Sequence, residues 1–182
     1  MVKIEVLRMG HRIIRDIRVT THCALVARAF GAEKIIIVGE EDKTIEKTVK
    51  SVASAWGGNF KIKFSSDLKK EIKEKKKEKF TLVHLTMYGE KLNEKIEEIK
   101  KKEKICLMVG AEKVPPWIYS ESDYNISIGT QPHSEIAALA ITLHEIFRGN
   151  ELNKKFSKAK IKIIPQKKGK KTEKKRKKSR LV

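Results

Sequence analysis

Residues 107–116 read Leu107-Met108-Val109-Gly110-Ala111-Glu112-Lys113-Val114-Pro115-Pro116. The apolar start and the glycine that follows it are typical of a buried strand that leaves a sheet through a turn. Because Gly110 has no Cβ, a small ligand can approach the backbone amides of such a turn closely. The segment predicts either a simple turn or a small-ligand loop, and its glycine and lysine spacing differs from that of a phosphate-binding loop.

Similar apolar runs recur along the chain, each four to six residues long and followed by a helical or polar segment. They predict strands over residues 2–7, 34–38, 60–64, 81–85, 105–109 and 125–128. The segments between them predict helices over residues 42–56, 67–79, 90–101 and 134–147, and one that begins near Thr20. This alternation predicts an α/β fold with a mostly parallel sheet covered on both faces. Ligands of such sheets bind beyond the carboxyl ends of the strands.

The charge of the chain indicates a polyanionic partner. In 182 residues there are 42 Lys and Arg against 23 Asp and Glu, a formal net charge of +19, and nucleic acid is the first class of partner to expect. Residues 167–182 hold ten Lys or Arg and one Glu, and they have too few apolar side chains to fold alone. A second basic run, residues 69–79, predicts a solvated helix face, with RNA contact as the alternative.

We predict three parts along the chain. They are a domain over residues 1–150, an extension over 151–171 that forms a short hairpin or a single strand, and a disordered basic tail over 172–182. No apolar run approaches the roughly 18 residues of a membrane-spanning helix, and the first residues lack the apolar core of a signal peptide. Cys23 and Cys106 have neither disulfide-framework nor metal-site spacing. We therefore expect a cytoplasmic protein without a membrane segment and without a metal.

The segment after the first strand is rich in arginine. Arg12, Arg15 and Arg18 recur at every third residue, which clusters guanidinium groups for contacts to phosphate or ribose, or for pairing with acids. Arg28 follows, six residues after His22. The segment predicts a cationic loop at the carboxyl end of the first strand.

A polar loop follows the last predicted strand. It reads Ile128-Gly129-Thr130-Gln131-Pro132-His133-Ser134-Glu135. Capping of the next helix by Ser134, with Glu135 in its first turn, is the structural interpretation, and a ligand-binding loop is the functional one. Adjacent His133 and Ser134 do not supply the geometry of a catalytic triad, and the spacing to His144 does not indicate a metal site.

Several of these motifs together resemble the methyl-donor motifs of the SPOUT methyltransferases. They are Gly110-Ala111-Glu112-Lys113-Val114-Pro115, Asp123-Tyr124-Asn125 and residues 131–139. Further segments, residues 7–16, 19–22, 56–58 and 83–89, narrow the resemblance to the archaeal tRNA (cytidine-56) 2′-O-methyltransferase family. The likeness covers about residues 1–170, with the motifs in one order.

The resemblance implies a SPOUT domain with a deep C-terminal trefoil knot, S-adenosylmethionine as the methyl donor, a homodimer, and 2′-O-methylation of cytidine 56 in the T-loop of tRNA. It implies a donor pocket formed by Leu85, the turn Gly110, Ala111, Glu112, Lys113 and Val114, and the loop Ile128, Gly129, Thr130, Gln131, Pro132, His133, Ser134 and Glu135. Related enzymes use an arginine of the first motif to help deprotonate the ribose hydroxyl, and Arg15, Arg18 and Arg28 are rival candidates for that role. A SPOUT enzyme for another RNA and a non-catalytic RNA-binding module are the alternatives.

Overall fold

Six strands form the main sheet of the structure, a computed structural model that describes residues 2–110 and 114–174. These strands are β1 Lys3–His11, β2 Lys34–Gly39, β3 Lys61–Ser65, β4 Thr81–Lys91, β5 Lys104–Gly110 and β6 Tyr124–Ser127. The helices are α1 Ile13–Ala29, α2 Lys43–Trp56, α3 Leu68–Lys77, α4 Leu92–Ile99, α5 Trp117–Glu121 and α6 Glu135–Phe147. A 3-10 helix, Asn150–Asn153, leads to a hairpin of β7 Ile161–Ile164 and β8 Lys171–Lys174.

The strand order is β3-β2-β1-β5-β4-β6, and every neighbouring pair of these strands is parallel. This arrangement confirms the predicted α/β fold. The chain builds outward from β1 to β3 and then crosses to the other side of β1 to build β4, β5 and β6. A reversal of this kind opens a crevice at the carboxyl ends of the strands.

Different helices bury the two faces of the sheet. Ile4 and Val6 of β1 belong to the core that includes residues of α1, α2, α4 and α6. Leu7 and Met9 point to the other face, where α3 and α5 pack. Alternate residues of a strand buried on both sides are expected to divide in this way.

Side-chain caps begin three helices within one residue of the predicted starts. Asp42 accepts hydrogen bonds from the amides two and three residues further on, and Asp67 accepts one from the amide of the third residue after it. Ser134 Oγ accepts a hydrogen bond from the amide two residues further on, at 3.1 Å. These bonds satisfy amides that have no partner within the first turn of a helix.

Helix α1 begins at Ile13, seven residues before the predicted start at Thr20, so the predicted cationic loop is wrong. Its N-cap is Arg12, whose side chain makes no capping bond. The amide of Ile13 instead donates to Glu40 Oε2 at 2.7 Å, and the amide of Arg12 donates to Asp16 Oδ2 at 3.1 Å. Glu40 is remote in the sequence, and Asp16 lies one residue beyond the position that a capping box requires, so the usual local capping pattern does not mark this start.

Strand β4 extends six residues beyond its predicted end at Leu85. Both Leu85 and Glu90 pair with Ile126 of β6, so residues 86–89 loop out of the ladder as a bulge. Helix α4 consequently begins two residues later than predicted, directly after the end of β4.

Most of the basic run that is predicted to be a solvated face lies on helix α3 and is exposed, but two of its charged residues, Glu71 and Lys75, are buried. Lys75 is buried, and its Nζ donates to Glu5 Oε2 at 2.9 Å. Burial opposes a charged amine here, but the hydrogen bonds to Glu78 and Glu5 outweigh it and raise the pKa of Lys75. The sequence did not predict this ion pair, because its members are 70 residues apart.

The C-terminal hairpin is present and is longer than predicted. Ile161 pairs with Lys174, so residues 172–174 belong to β8 instead of the tail. Residues 175–182, the rest of the predicted tail, lie outside the described residues. Residues 111–113 also lie outside them, and the predicted knot stays a prediction. No helix within 2–110 and 114–174 combines the length and apolar character needed to span a membrane.

Candidate active site

A cavity of about 610 Å³ opens at the carboxyl ends of β4, β5 and β6, beside the first turn of α6. We call it the carboxyl-edge cavity. It lies at the edge where the strand order predicts a ligand site, and its size falls within the range of about 300–1,000 Å³ that is usual for cofactor sites. Its lining mixes apolar side chains with a few polar ones. In the described part of the chain, no three His, Cys, Asp or Glu residues come together as metal ligands.

The structure brings together part of the predicted donor pocket. Residues from all three predicted strand ends line the carboxyl-edge cavity: Leu85, Gly110, Val114, Ile128, His133 and Glu135. Two loop residues line a neighbouring cavity of about 460 Å³ instead: Gly129 and Thr130. Three more are exposed in the loop before α6: Gln131, Pro132 and the capping Ser134. Three others lie outside the described residues: Ala111, Glu112 and Lys113.

The bulge of β4 and helix α5 form a wall of the cavity that was not predicted. His84 Nδ1 donates to Asn125 Oδ1 at 2.9 Å, and Asn125 Nδ2 donates to the carbonyl of Tyr119 at 2.8 Å. The hydroxyls of Tyr119 and Thr86 are hydrogen-bonded at 3.1 Å, and the His84 ring contacts the Tyr119 ring edge-on at 4.9 Å. This network ties β4, α5 and β6 together around the cavity.

Arg8 is buried in the second half of β1 and reaches the cavity through Glu135. Its Nη2 donates to Glu135 Oε1 at 3.1 Å, and its Nη1 donates to the carbonyl of Met9 at 3.0 Å. A buried charge requires such a partner, since an unpaired one is strongly destabilising. Arg8 therefore fixes the carboxylate of Glu135 at the rim of the cavity. An arginine within the apolar run of a strand is the sequence feature that could have drawn attention to it.

Arg15 and Arg18 lie on the outward face of α1. Both side chains are exposed, whereas the opposite face of the helix is buried against the sheet. Ile14 and Ile17 share the outward face and are 101% and 37% exposed. In a single copy of the chain, these arginines therefore point away from the sheet whose strand ends form the cavity.

Arg28 is separated from the other two candidates. Its Nη2 donates to the carbonyl of Gly57 at 2.6 Å, and its guanidinium group lies 4.6 Å from the centre of the Phe156 ring. Burial lowers the pKa of Arg28 from its usual value. These contacts hold the C-terminal extension against the end of α2. These contacts separate Arg28 from Arg15 and Arg18, and its catalytic role stays a prediction.

The buried histidines predict a loss of stability below neutral pH. Burial lowers the pKa of His84 and of His11 below the usual value of about 6.5. The two histidine rings therefore bind a proton more readily in the unfolded chain than in the folded protein. The free energy of unfolding should fall as the pH drops through about 6.5 towards the lower pKa of the folded protein. We expect the melting temperature to fall between pH 7.5 and 5.5, and to fall less in His84→Asn. The exposed His22→Asn is the control, and equal pH dependence in all three proteins would contradict this prediction.

Comparison with known families matches residues 56–173 to the family described as tRNA ribose 2′-O-methyltransferase, aTrm56. The chain belongs to the aTrm56 family. A protein named tRNA (cytidine(56)-2′-O)-methyltransferase from Nitrosopumilus maritimus is 53% identical over 167 residues, which cover 92% of this chain and 94% of that protein. One of the same name from Methanocaldococcus jannaschii is 52% identical over 170 residues, with coverage of 92% and 94%.

Solved structures share the fold of this aTrm56 member. The SpoU methyltransferase AviRb from Streptomyces viridochromogenes, solved in complex with AdoMet, has a TM-score of 0.62 at 14% identity. The match covers 82% of this chain and 58% of AviRb, so the chain spans somewhat more than half of that protein. The A. aeolicus TrmH/SpoU tRNA modifying enzyme has a TM-score of 0.60 at 17% identity, with coverage of 84% and 76%. These similarities confirm the predicted SPOUT-type fold.

Proposed function

We propose that the chain transfers a methyl group from S-adenosylmethionine to the ribose 2′-oxygen of cytidine 56 in tRNA. Membership of the aTrm56 family, with identities of 53% and 52% to relatives of that named activity over nearly their whole lengths, carries the proposal. The net charge of +19 suits an RNA substrate. We assign the reaction to the cytoplasm, since Cys23 and Cys106 are free and buried, as in proteins of a reducing compartment.

The carboxyl-edge cavity is the place that we assign to the methyl donor. Leu85, Ile126 and Ile128 would hold its apolar parts, and Thr86 and Glu135 would bind its polar groups. When bound, S-adenosylmethionine supplies a methyl group on a positively charged sulfur that becomes a neutral thioether on transfer. Because Glu135 is paired with Arg8, it would bind the donor through hydrogen bonds to its carboxylate oxygens and not through an uncompensated charge.

Arg15 and Arg18 are the side chains that we propose to act on the ribose. Arginine is a poor base, because its pKa exceeds about 12. The guanidinium group would instead position the 2′-hydroxyl or a neighbouring phosphate and stabilise the negative charge that develops on the oxygen. A phosphate of the RNA or a water molecule would accept the proton.

The outward position of these arginines supports a homodimer. Ile14 and Ile17 of α1 are exposed beside them, and Ile141 of α6, the helix that packs on α1, is 43% exposed. Exposed apolar side chains on two adjacent helices favour an isologous contact between two copies. We propose that α1 of each copy completes the carboxyl-edge cavity of the other.

Methyl transfer from labelled donor to an unmodified tRNA transcript tests the proposal. We expect the label on the 2′-oxygen of cytidine 56, located by nuclease digestion and mass spectrometry, and one donor bound per copy in calorimetry without RNA. A label on another nucleotide would support a SPOUT enzyme of different specificity. Donor and tRNA binding without transfer would support a non-catalytic RNA-binding module.

A further inference from the structure

A second large cavity lies at the amino ends of the strands, at the edge of the sheet opposite the carboxyl-edge cavity. Its volume is about 780 Å³, and we call it the amino-edge cavity. Four neighbouring strands, β3, β2, β1 and β5, each begin with a lysine that lines it: Lys61, Lys34, Lys3 and Lys104. Because neighbouring strands are about 4.8 Å apart, these lysines form a row along the edge of the sheet.

The amino-edge cavity has an excess of positive charge. Seven lysines line it against three glutamates. Glu5 alone is shared by three of them, with Lys75 at 2.9 Å, Lys3 at 3.5 Å and Lys34 at 3.9 Å. The hydrogen bond from Lys75 holds the pKa of Glu78 below its usual value, and the charges of Lys34 and Lys3 lower it further. The described carboxylates therefore do not neutralise this group of lysines.

Four of the seven lysines have no carboxylate partner among the described residues, and two of these four are held in place by other contacts. Lys104 Nζ donates to the carbonyl of Glu78 at 3.0 Å. Lys154 Nζ donates to the carbonyl of Gly31 at 3.2 Å and lies 5.6 Å from the centre of the Phe147 ring. Lys61 and Lys155 are exposed at the rim. Side chains that are already positioned lose less conformational entropy when they bind a ligand.

We propose that the amino-edge cavity binds backbone phosphates of the tRNA substrate, at a distance from the methylated ribose. This proposal rests on the proposed function, from which it takes tRNA as the identity of the RNA. Lysine binds phosphate as a point charge and does not read base edges. A row of uncompensated lysines is therefore suited to a sugar-phosphate backbone of any sequence.

The distance between the two cavities indicates which phosphates of the tRNA can bind at the amino-edge cavity. Lys104 and Gly110 are the first and last residues of β5 and line the amino-edge and carboxyl-edge cavities. At about 3.3 Å per residue, they are roughly 20 Å apart. Phosphates at the amino-edge cavity are thus not those that flank the target nucleotide. This contact should supply affinity and orientation, and the chemical step should not depend on it.

Two triple variants of the full-length chain test this proposal. One replaces Lys61, Lys104 and Lys155 by Ala. The control replaces Lys43, Lys47 and Lys50 by Ala, three exposed lysines of α2 that lie outside the cavity. Dissociation constants for unmodified tRNA are measured without donor over a range of salt concentrations. We expect the cavity variant to bind about tenfold more weakly at low salt and the slope of log K against log salt to fall by about 2, at 0.7–0.9 per phosphate contact.

The control variant should keep the slope of the unmodified chain, and both variants should keep its donor affinity and its methylation rate at saturating tRNA. The double variant Lys61→Glu, Lys155→Glu changes only exposed side chains and repeats the binding test if the triple variant is less stable. Equal slopes in the cavity and control variants would overturn the proposal. Absence of methyl transfer by the unmodified chain would instead refute the proposed function, and leave the binding comparison intact.

Discussion

A heterodimer of an Arg18→Ala copy and a Gly110→Val copy is expected to recover about half of the unmodified methylation rate, because one of its two sites is complete. Each variant alone should be nearly inactive. Loss of the guanidinium group should lower the single-turnover rate by about 100- to 1,000-fold, the usual cost of losing a group that stabilises a developing oxyanion. Gly110→Val should prevent donor binding, since Gly110 lines the carboxyl-edge cavity.

The expected recovery of the methylation rate follows from the position of Arg15 and Arg18 on the outward face of α1, away from the cavity of their own copy. If the arginine acts on the cavity of the other copy, the heterodimer combines the intact cavity of one copy with the intact arginine of the other. Two different affinity tags on co-expressed copies isolate this heterodimer, and the same pairing with Arg15→Ala decides between the two candidates. A lysine in place of the intact arginine of the other copy should not restore the rate, because lysine lacks the planar fork of donors.

Lys47→Ala, which removes an exposed cation from α2, is the control and should leave the rate unchanged. A heterodimer without activity, formed from copies that are each folded and inactive, would show that arginine and cavity act within one copy. Full activity of both Arg15→Ala and Arg18→Ala at saturating tRNA would remove these two arginines from the chemistry.

Most of the sheet could be predicted because its signals are local. Apolar runs such as residues 34–38 are buried on both faces, and Asp42 and Asp67 cap the helices that follow them in the sequence. The start of α1 could not be predicted in this way, since its first amide is bound by Glu40. Local sequence signals therefore locate the start of a helix best when its capping partner is near in the sequence.

The candidate site was predicted only where it follows strand ends. Gly110 and Glu135 occupy such positions, and both line the cavity. Tyr119 belongs to α5, a helix of five residues that is too short to show a period. Arg28 had a suggestive spacing from His22, but its contact is with Phe156, far along the chain, which no spacing reveals.

Gly89→Ala should disrupt the fold around the carboxyl-edge cavity more than any other substitution of one methyl group that we consider. A Cβ on Gly89 would lie 2.3 Å from the carbonyl oxygen of Asn125 and 2.5 Å from the amide nitrogen of Ile126. Both are backbone atoms of β6, so no side chain can rotate away, and the bulge or the strand has to move. Overpacking of this kind costs about 3 kcal/mol of unfolding free energy.

The displaced segment carries the wall of the cavity, because Asn125 also bonds His84 and the backbone of Tyr119. Donor affinity should therefore fall by about tenfold or more, which is about 1.4 kcal/mol of binding free energy or more, in any Gly89→Ala protein that remains folded. Gly129→Ala is the matched control for stability, since a Cβ there meets no atom within 4 Å. Urea unfolding of the two variants and donor calorimetry of Gly89→Ala against the unmodified chain measure both effects, and equal stability of the two variants would show that the bulge yields without cost.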